Sequence, residues 1–491
     1  MIGYTSIARL NLKWPLVAFL LIAIMAGAVF MLNTGSKTGI ALGIALIVSP
    51  VATYLAIRQP ILFPFGLYVV LIPFDHLLLL PQFGTLTRLL AIASGAALAL
   101  SLVRKKQFFA PGWSLAIWGM FVLWAAASFI WAIDVSPRSV SGFATLLQLF
   151  LLFAVLSLTR VNDQNLKLLL FCVILGALAA AAFGLYLFHG GGQSVYAGRL
   201  FLNVGSGPAP LGEHAEGSIN PNEFAAAMLL PIALALMKFL ESPRVLQKLT
   251  WSLALLVLLG GIVVSGSRGS LLAVAALVPF FFWKTRYKGQ LLALSTLVGI
   301  GSIFVSSIWE RFSTALSSGG AGRLEIWIVG VAAFKKYWLL GAGNGEFADA
   351  YNRAYISVFQ QISAHWSRAP HNIVLGTAVE LGVIGLILLT LALFSQYKML
   401  DAVIRRDPFN NTAVALQGAL VSLLVASQFL DSITTKYTWL LFSIIMLTSA
   451  HTFQNRTHSN ALAADHVYAP LQSSEYGVHP AASKKAYILR S

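Results

Sequence analysis

The sequence predicts an all-α fold: a polytopic integral membrane bundle of about 12 to 14 transmembrane helices, with a long outer loop containing helices of its own. Three observations carry that expectation. Of the 491 residues, 58% are apolar and only 10% are charged, with a mean hydropathy of +0.79; a soluble domain carries about 25% charged residues. Apolar stretches recur with short polar breaks, several of them close to the ~20 residues that cross a bilayer core. None alternates apolar and polar residues as barrel strands do. Such a chain uses lipid as its solvent. Disordered, nucleic-acid-binding and disulfide-stapled secreted classes are excluded.

The stretches lie near 15–32, 39–57, 61–80, 86–103, 112–133, 142–159, 166–188, 222–240, 249–265, 269–283, 290–308, 372–397, 413–430 and 434–450. The first follows Arg9 and Lys13 and lacks a cleavage-like small-residue site, so it reads as a retained span rather than a signal peptide. Basic residues gather in every second connection: Arg58, Arg104-Lys105-Lys106, Arg160 with Lys167, Lys238 with Arg244 and Lys248, Lys284 with Arg286 and Lys288, and Lys398 with Arg405-Arg406. That alternation assigns most of the +16 net charge to topology and sets an even number of spans with both termini cytoplasmic. Cys172, the only cysteine, sits in an apolar run and has no partner for an internal disulfide.

Two outer connections, 189–221 and 309–371, are far longer than the rest, and long ordered loops carry function. Within the second, Phe347, Tyr351, Tyr355, Phe359, Ile362 and Trp366 recur at helical spacing. They predict a helix lying on the membrane surface or on the bundle. The resulting organisation is 1–216 for the N-terminal helices and first long loop, 217–397 for a core that includes 309–371, 398–452 for the C-terminal helices, and 453–491 for a polar cytoplasmic tail without periodicity.

No Gly-rich loop ends in Gly-Lys-Ser/Thr, no His-Glu-x-x-His occurs, and no acidic cluster has metal-ligand spacing, so neither cofactor nor metal is expected. The spans hold few charges, and the polar material gathers at the outer face. Three arginines stand out there: Arg268 in Ser265-Gly266-Ser267-Arg268-Gly269-Ser270, Arg199 in the first long loop, and Arg323 in Gly322-Arg323-Leu324-Glu325. A guanidinium fork suits phosphate oxygens and keeps its charge at any physiological pH. The plainer alternative is snorkelling to lipid headgroups or pairing with Glu213, Glu216 or Glu325. His371, in Ala369-Pro370-His371-Asn372, stands where the long loop enters the next span; neutral imidazole there is competent as a general base, or as a mere helix cap. His365, Glu380 and Asp75-His76 are weaker candidates.

Four segments together resemble the O-antigen ligase and polymerase superfamily. They are Ser265–Ala273; Gly322–Trp327 followed by Gly341-Ala342-Gly343-Asn344-Gly345-Glu346-Phe347; Pro370–Leu375 continuing to Glu380–Gly385; and, more weakly, Asn220–Ala225. Many members have proline before the Gly-x-Gly turn, where this chain has Tyr337-Trp338-Leu339-Leu340. The resemblance implies an inner-membrane glycosyltransferase with its site on the periplasmic face and an undecaprenyl-diphosphate-linked O-antigen as donor. In the ligases the glycan passes en bloc to a sugar hydroxyl of lipid A-core, without a metal and with inversion. It implies that Arg268 and Arg199 hold the diphosphate, with Arg323 beside them, and that His371 deprotonates the acceptor. The expected partners are the two lipid-borne glycans and phospholipid, with no nucleic acid. The rivals are an O-antigen polymerase, a protein O-oligosaccharyltransferase and, from another class, a lipid-glycan transporter.

Overall fold

The computed structural model describes residues 49–80, 84–105, 108, 112–190, 195–196, 199–200, 220–303, 309, 313, 322–362 and 368–467. The expected span at 15–32 and residues Glu213, Glu216, His365 and Trp366 lie outside them. The chain divides into two compact units, 1–451 and 452–491.

Besides a helical stretch at 49–58, the described residues form fifteen complete α-helices: α1 Phe65–Leu71, α2 Leu86–Lys105, α3 Gly112–Ala127, α4 Pro137–Leu158, α5 Asp163–Gly190, α6 Pro221–Ala227, α7 Leu229–Glu241, α8 Val245–Ser265, α9 Arg268–Lys284, α10 Lys288–Ile303, α11 Arg323–Lys336, α12 Phe347–Phe359, α13 Ile373–Arg406, α14 Asn411–Ala426 and α15 Lys436–Val467. Two short ladders accompany them: β1 Leu79–Leu80 with β2 Gly84–Thr85, and β3 Val195–Tyr196 with β4 Arg199–Leu200. Among the described residues seven helical segments are long and apolar enough to cross a membrane, one of them α6 and α7 taken together. The protein is a polytopic helical membrane protein.

Alternating helix directions gather the connections after α3, α8 and α14 at one end of the bundle, here the loop end. The opposite, basic end carries Arg104, Arg160, Arg244, Lys284 and Arg406.

Local sequence sets the boundaries. Ser136 caps α4 by accepting from the Ser139 amide at 3.1 Å, with Pro137 in the first turn. The expected span at 61–80 is shorter in the structure, because Pro60, Pro64 and Pro73 confine regular helix to α1 and a 3-10 turn over Ile72–Leu77. The stretch at 222–240 breaks at Met228: Pro231 has no amide to give Ala227, so α6 and α7 separate there. The last helix, α15, runs past residue 452 to Val467.

Residues 438–450 of α15 are buried on every face, as befits the middle helix of a bundle. Trp439 packs with Trp118, Phe150, Phe153 and Phe442 at ring separations of 5.0 to 6.3 Å. Lipid is as apolar as these side chains, so close packing and small residues hold such helices together. Gly418 of α14 illustrates this, since a Cβ there would meet the Phe281 ring of α9 at 2.8 Å.

Candidate active site at the loop end of the bundle

Arg268 is the first residue of α9, one short turn after α8. Gly266 takes the left-handed conformation (φ 62°) that ends α8, and Ser267 caps α9 through the Ser270 amide at 3.4 Å. The arginine therefore stands at a helix N-terminus, where the macrodipole favours an anion.

Arg323 opens α11 in the same way, after left-handed Gly322 (φ 78°). Its guanidinium lies over the Phe429 ring, 5.8 Å from the centroid. Burial, and after it the positive charge of Arg268, holds that guanidinium below its ordinary value. Two cations that feel each other in a half-buried place suit a doubly charged anion between them.

His371 precedes Asn372, which caps α13 by accepting from the Leu375 amide at 2.9 Å. His371 itself is left-handed (φ 47°), a costly conformation for a residue with a Cβ and one that clusters at functional sites. The turn after α14 holds this segment. The Ile373 amide donates to the Ser427 carbonyl at 2.8 Å, and Asn372 Nδ2 donates to the Gln428 carbonyl at 3.2 Å. The next residue is Phe429. Its side chain lies so close to α9 that a Cβ on Gly269 would meet it at 2.8 Å. One turn, Ser427–Phe429, thus touches Arg323 and the residues next to Arg268 and His371.

Arg199 is placed by its backbone alone: it lies in β4, opposite Tyr196, and β4 lies against α5 and α8. Glu325 accepts from Tyr351 Oη at 2.9 Å, which with burial keeps that phenol above its usual range. Asp75 is paired with Lys436 Nζ at 2.6 Å and accepts from Thr87 as well.

Glu380 has a structural part. Gly382 leaves helical geometry inside α13 (φ 67°, ψ −168°), which frees the carbonyls before it. Bare carbonyls are intolerable at membrane depth, so protein groups must take them. Ala342 N donates to Val379 O at 2.8 Å, Gly343 N to Glu380 O at 2.9 Å, and Trp124 Nε1 to Leu381 O at 2.9 Å. The Glu380 carboxylate then accepts the Gly345 amide at 2.9 Å. The Gly341–Gly345 turn is a plug fitted into a broken helix, and α11 and α12 hang from it around a core of Ile326, Val329, Phe347 and Tyr351. The aromatic stripe therefore packs on protein through Phe347 and Tyr351, and the helix stops at Phe359.

Sequence reasoning missed Asp431. With Glu223, Asp75, Lys436, Thr145, Thr434 and Thr435 it lines a cavity of about 240 Å³ at the loop end. Burial pushes its carboxyl up to about 6 against the Ile433 amide, which lowers it, and the charge of Glu223 adds to the rise. The available signal was an acid alone in a short break between two apolar runs.

Residues 253–390 match the O-antigen ligase family. The match covers well under half of the chain, yet it contains Arg268, Arg323, His371, the glycine turn and Glu380. Comparison with curated proteins returns no match. The matched segment thus runs from within α8 to residue 390 of α13, past the break at Gly382, and is similar to proteins of the O-antigen ligase type.

Proposed function

We propose that the protein is an inverting, metal-independent O-antigen ligase. It moves O-antigen en bloc from undecaprenyl diphosphate to a sugar hydroxyl of lipid A-core, at the periplasmic face of the inner membrane, with both termini cytoplasmic. The observation that supports this reading is that the Ser427–Phe429 turn touches Arg323 and the residues next to Arg268 and His371. The core of the reading is residues 217–397.

His371 takes the proton of the acceptor hydroxyl as its oxygen attacks the anomeric carbon from the face opposite the diphosphate. The bond from that carbon to the diphosphate oxygen breaks, and its electron pair leaves with undecaprenyl diphosphate. That leaving group is already a weak base, so it needs charge stabilisation rather than a proton, and Arg268 and Arg323 supply it, with Arg199 on the neighbouring ribbon. Products are one glycosidic bond, undecaprenyl diphosphate and a protonated His371. The cavity beside Asp431 offers carboxylate, ammonium and hydroxyl groups, the donors and acceptors that sugar hydroxyls require.

The test is a lipopolysaccharide gel from a ligase-deficient strain that supplies an accepted glycan and core, expressing wild type or His371→Ala at equal membrane levels. Wild type restores the O-antigen ladder on core and the variant does not. A ladder from both removes His371 as the base. Longer lipid-linked chains without any ladder on core make the protein a polymerase.

A further inference from the structure

The glycine turn leads into a second charged cluster, which shares no residue with the site above. Asp134, from the connection between α3 and α4, and Glu346 and Asp349, from the start of α12, each place a carboxylate oxygen within 4.8 Å of the other two. Asp134 is exposed, Asp349 half-buried and Glu346 fully buried.

A separate observation concerns Glu346 alone. One of its oxygens accepts from the Ser136 amide and hydroxyl at 3.4 Å, while Oε2 is buried without any hydrogen-bond partner. An ionised carboxylate can only accept, and a buried acceptor left unpaired is costly. A sealed oxygen among two further carboxylates calls for a positive charge at that point.

We propose that Asp134, Glu346 and Asp349 bind one divalent hard cation, of which calcium fits best. Calcium takes oxygens at about 2.3–2.6 Å, so opposed ligands stand about 5 Å apart, whereas magnesium at about 2.1 Å draws them to about 4 Å. The three oxygens lie within 4.8 Å of one another, a separation that calcium, with its flexible geometry, accommodates as it stands. A set of oxygens without His or Cys also selects calcium or magnesium over zinc or copper. Asp134 gives the ion a way in from solvent, and Glu346 supplies the enclosed end. Arg353 donates to the carbonyl of Ile133, the residue before Asp134, at 3.1 Å and offsets part of the acidic charge.

The role that follows is positioning. Ile133 N donates to Ala342 O at 2.8 Å, Asn344 N to Ser128 Oγ at 2.9 Å, and Trp131 Nε1 to Leu340 O at 3.1 Å. An ion at Asp134 completes this seam and clamps α12 to the connection between α3 and α4. The sequence hid the site because Asp134 stands far from Glu346 along the chain. The inference holds whether the protein is a ligase, a polymerase or neither.

The experiment uses the full chain in detergent or nanodiscs, freed of metal with a chelator, with calcium chloride or magnesium chloride as the probe. Calcium binding is followed by equilibrium dialysis, and unfolding by a thermal scan. One calcium binds per chain and Tm rises by a few degrees, more than with magnesium. Asp349→Asn and Glu346→Gln lose both effects. Asp134→Asn, an exposed position that leaves the packing alone, weakens calcium binding at least tenfold. The proposal is overturned if no calcium binds, if the variants bind it as wild type does, or if mild acid alone gives the same rise in Tm, which would mean a proton shared between Glu346 and Asp349.

Discussion

The Ser265–Ser267 turn and the Gly341–Gly345 turn both sit at the loop end, and both depend on left-handed glycine, yet they differ in what surrounds them. The first is hydrogen-bonded within itself through Ser265, Ser267 and Ser270, and it delivers a charged side chain to the head of α9. The second delivers no charge to the arginine site. Its amides fill the carbonyls of α13 opened at Gly382, and its own Glu346 is buried. The Arg268 side chain can change while the turn stands, because the hydrogen bonds that shape the turn run through its serines. The second is part of the bundle itself, and changes there act on stability before chemistry.

The largest expected effect comes from Gly382→Ala. A Cβ there would stand 2.2 Å from the Leu339 carbonyl oxygen, in a backbone conformation open to glycine alone. Gly341→Ala meets Glu380 O at the same 2.2 Å. Neither neighbour is a side chain that can swing away, so the cost exceeds about 4 kcal/mol, a large share of ordinary stability. Membrane yield and gel filtration after solubilisation should show loss of the folded protein. Normal yield of either variant would mean that the plug is not a fixed part of the bundle.

Arg268→Ala tests the other turn. Each charge-assisted hydrogen bond to the diphosphate is worth about 1.5–3 kcal/mol, or one to two powers of ten in rate. Transfer measured with lipid-linked donor should fall about a hundredfold or more, with Tm within about 2 °C of wild type. A Tm that collapses along with the rate would make Arg268 structural and end the contrast. Glu380→Gln lies between the two. The amide keeps one acceptor for Gly345 but puts an NH2 group where the second carboxyl oxygen stood, at a cost of about 1–3 kcal/mol, so Tm should drop by several degrees while transfer persists.

Hydropathy made most of the helices legible. The stretches at 249–265 and 269–283 became α8, Val245–Ser265, and α9, Arg268–Lys284, because lipid demands continuous apolar length. Arg268, Arg323 and His371 were legible as residues, from small neighbours and from their places at helix starts. Their meeting point was not. Phe429 lies far along the chain in a turn without a motif, and only tertiary packing brings it against Gly269 and Arg323. The break at Gly382 was hidden for a related reason. Glu380-Leu381-Gly382-Val383 reads as helix until the glycine turn is present to accept its place in the ladder.

The smallest effect concerns Asp431, whose carboxyl extends the Phe429 turn into the cavity. Its folded pKa, about 6, stands above the ordinary 3.8. Between about pH 4 and 6 the folded chain therefore holds more protons than the unfolded one at this position, and stability falls as pH rises through that window and levels off above it. Asp431→Asn removes the titration and keeps the shape. Tm of the variant should gain on wild type by a few degrees between pH 4 and 6, and the two curves should run parallel from pH 7 upward. Curves that are parallel throughout would show that Asp431 titrates as an open, hydrated acid. The cavity would then be a wet surface, unlike the enclosed carboxylate of Glu346, and only the second of the two loop-end regions would keep water out.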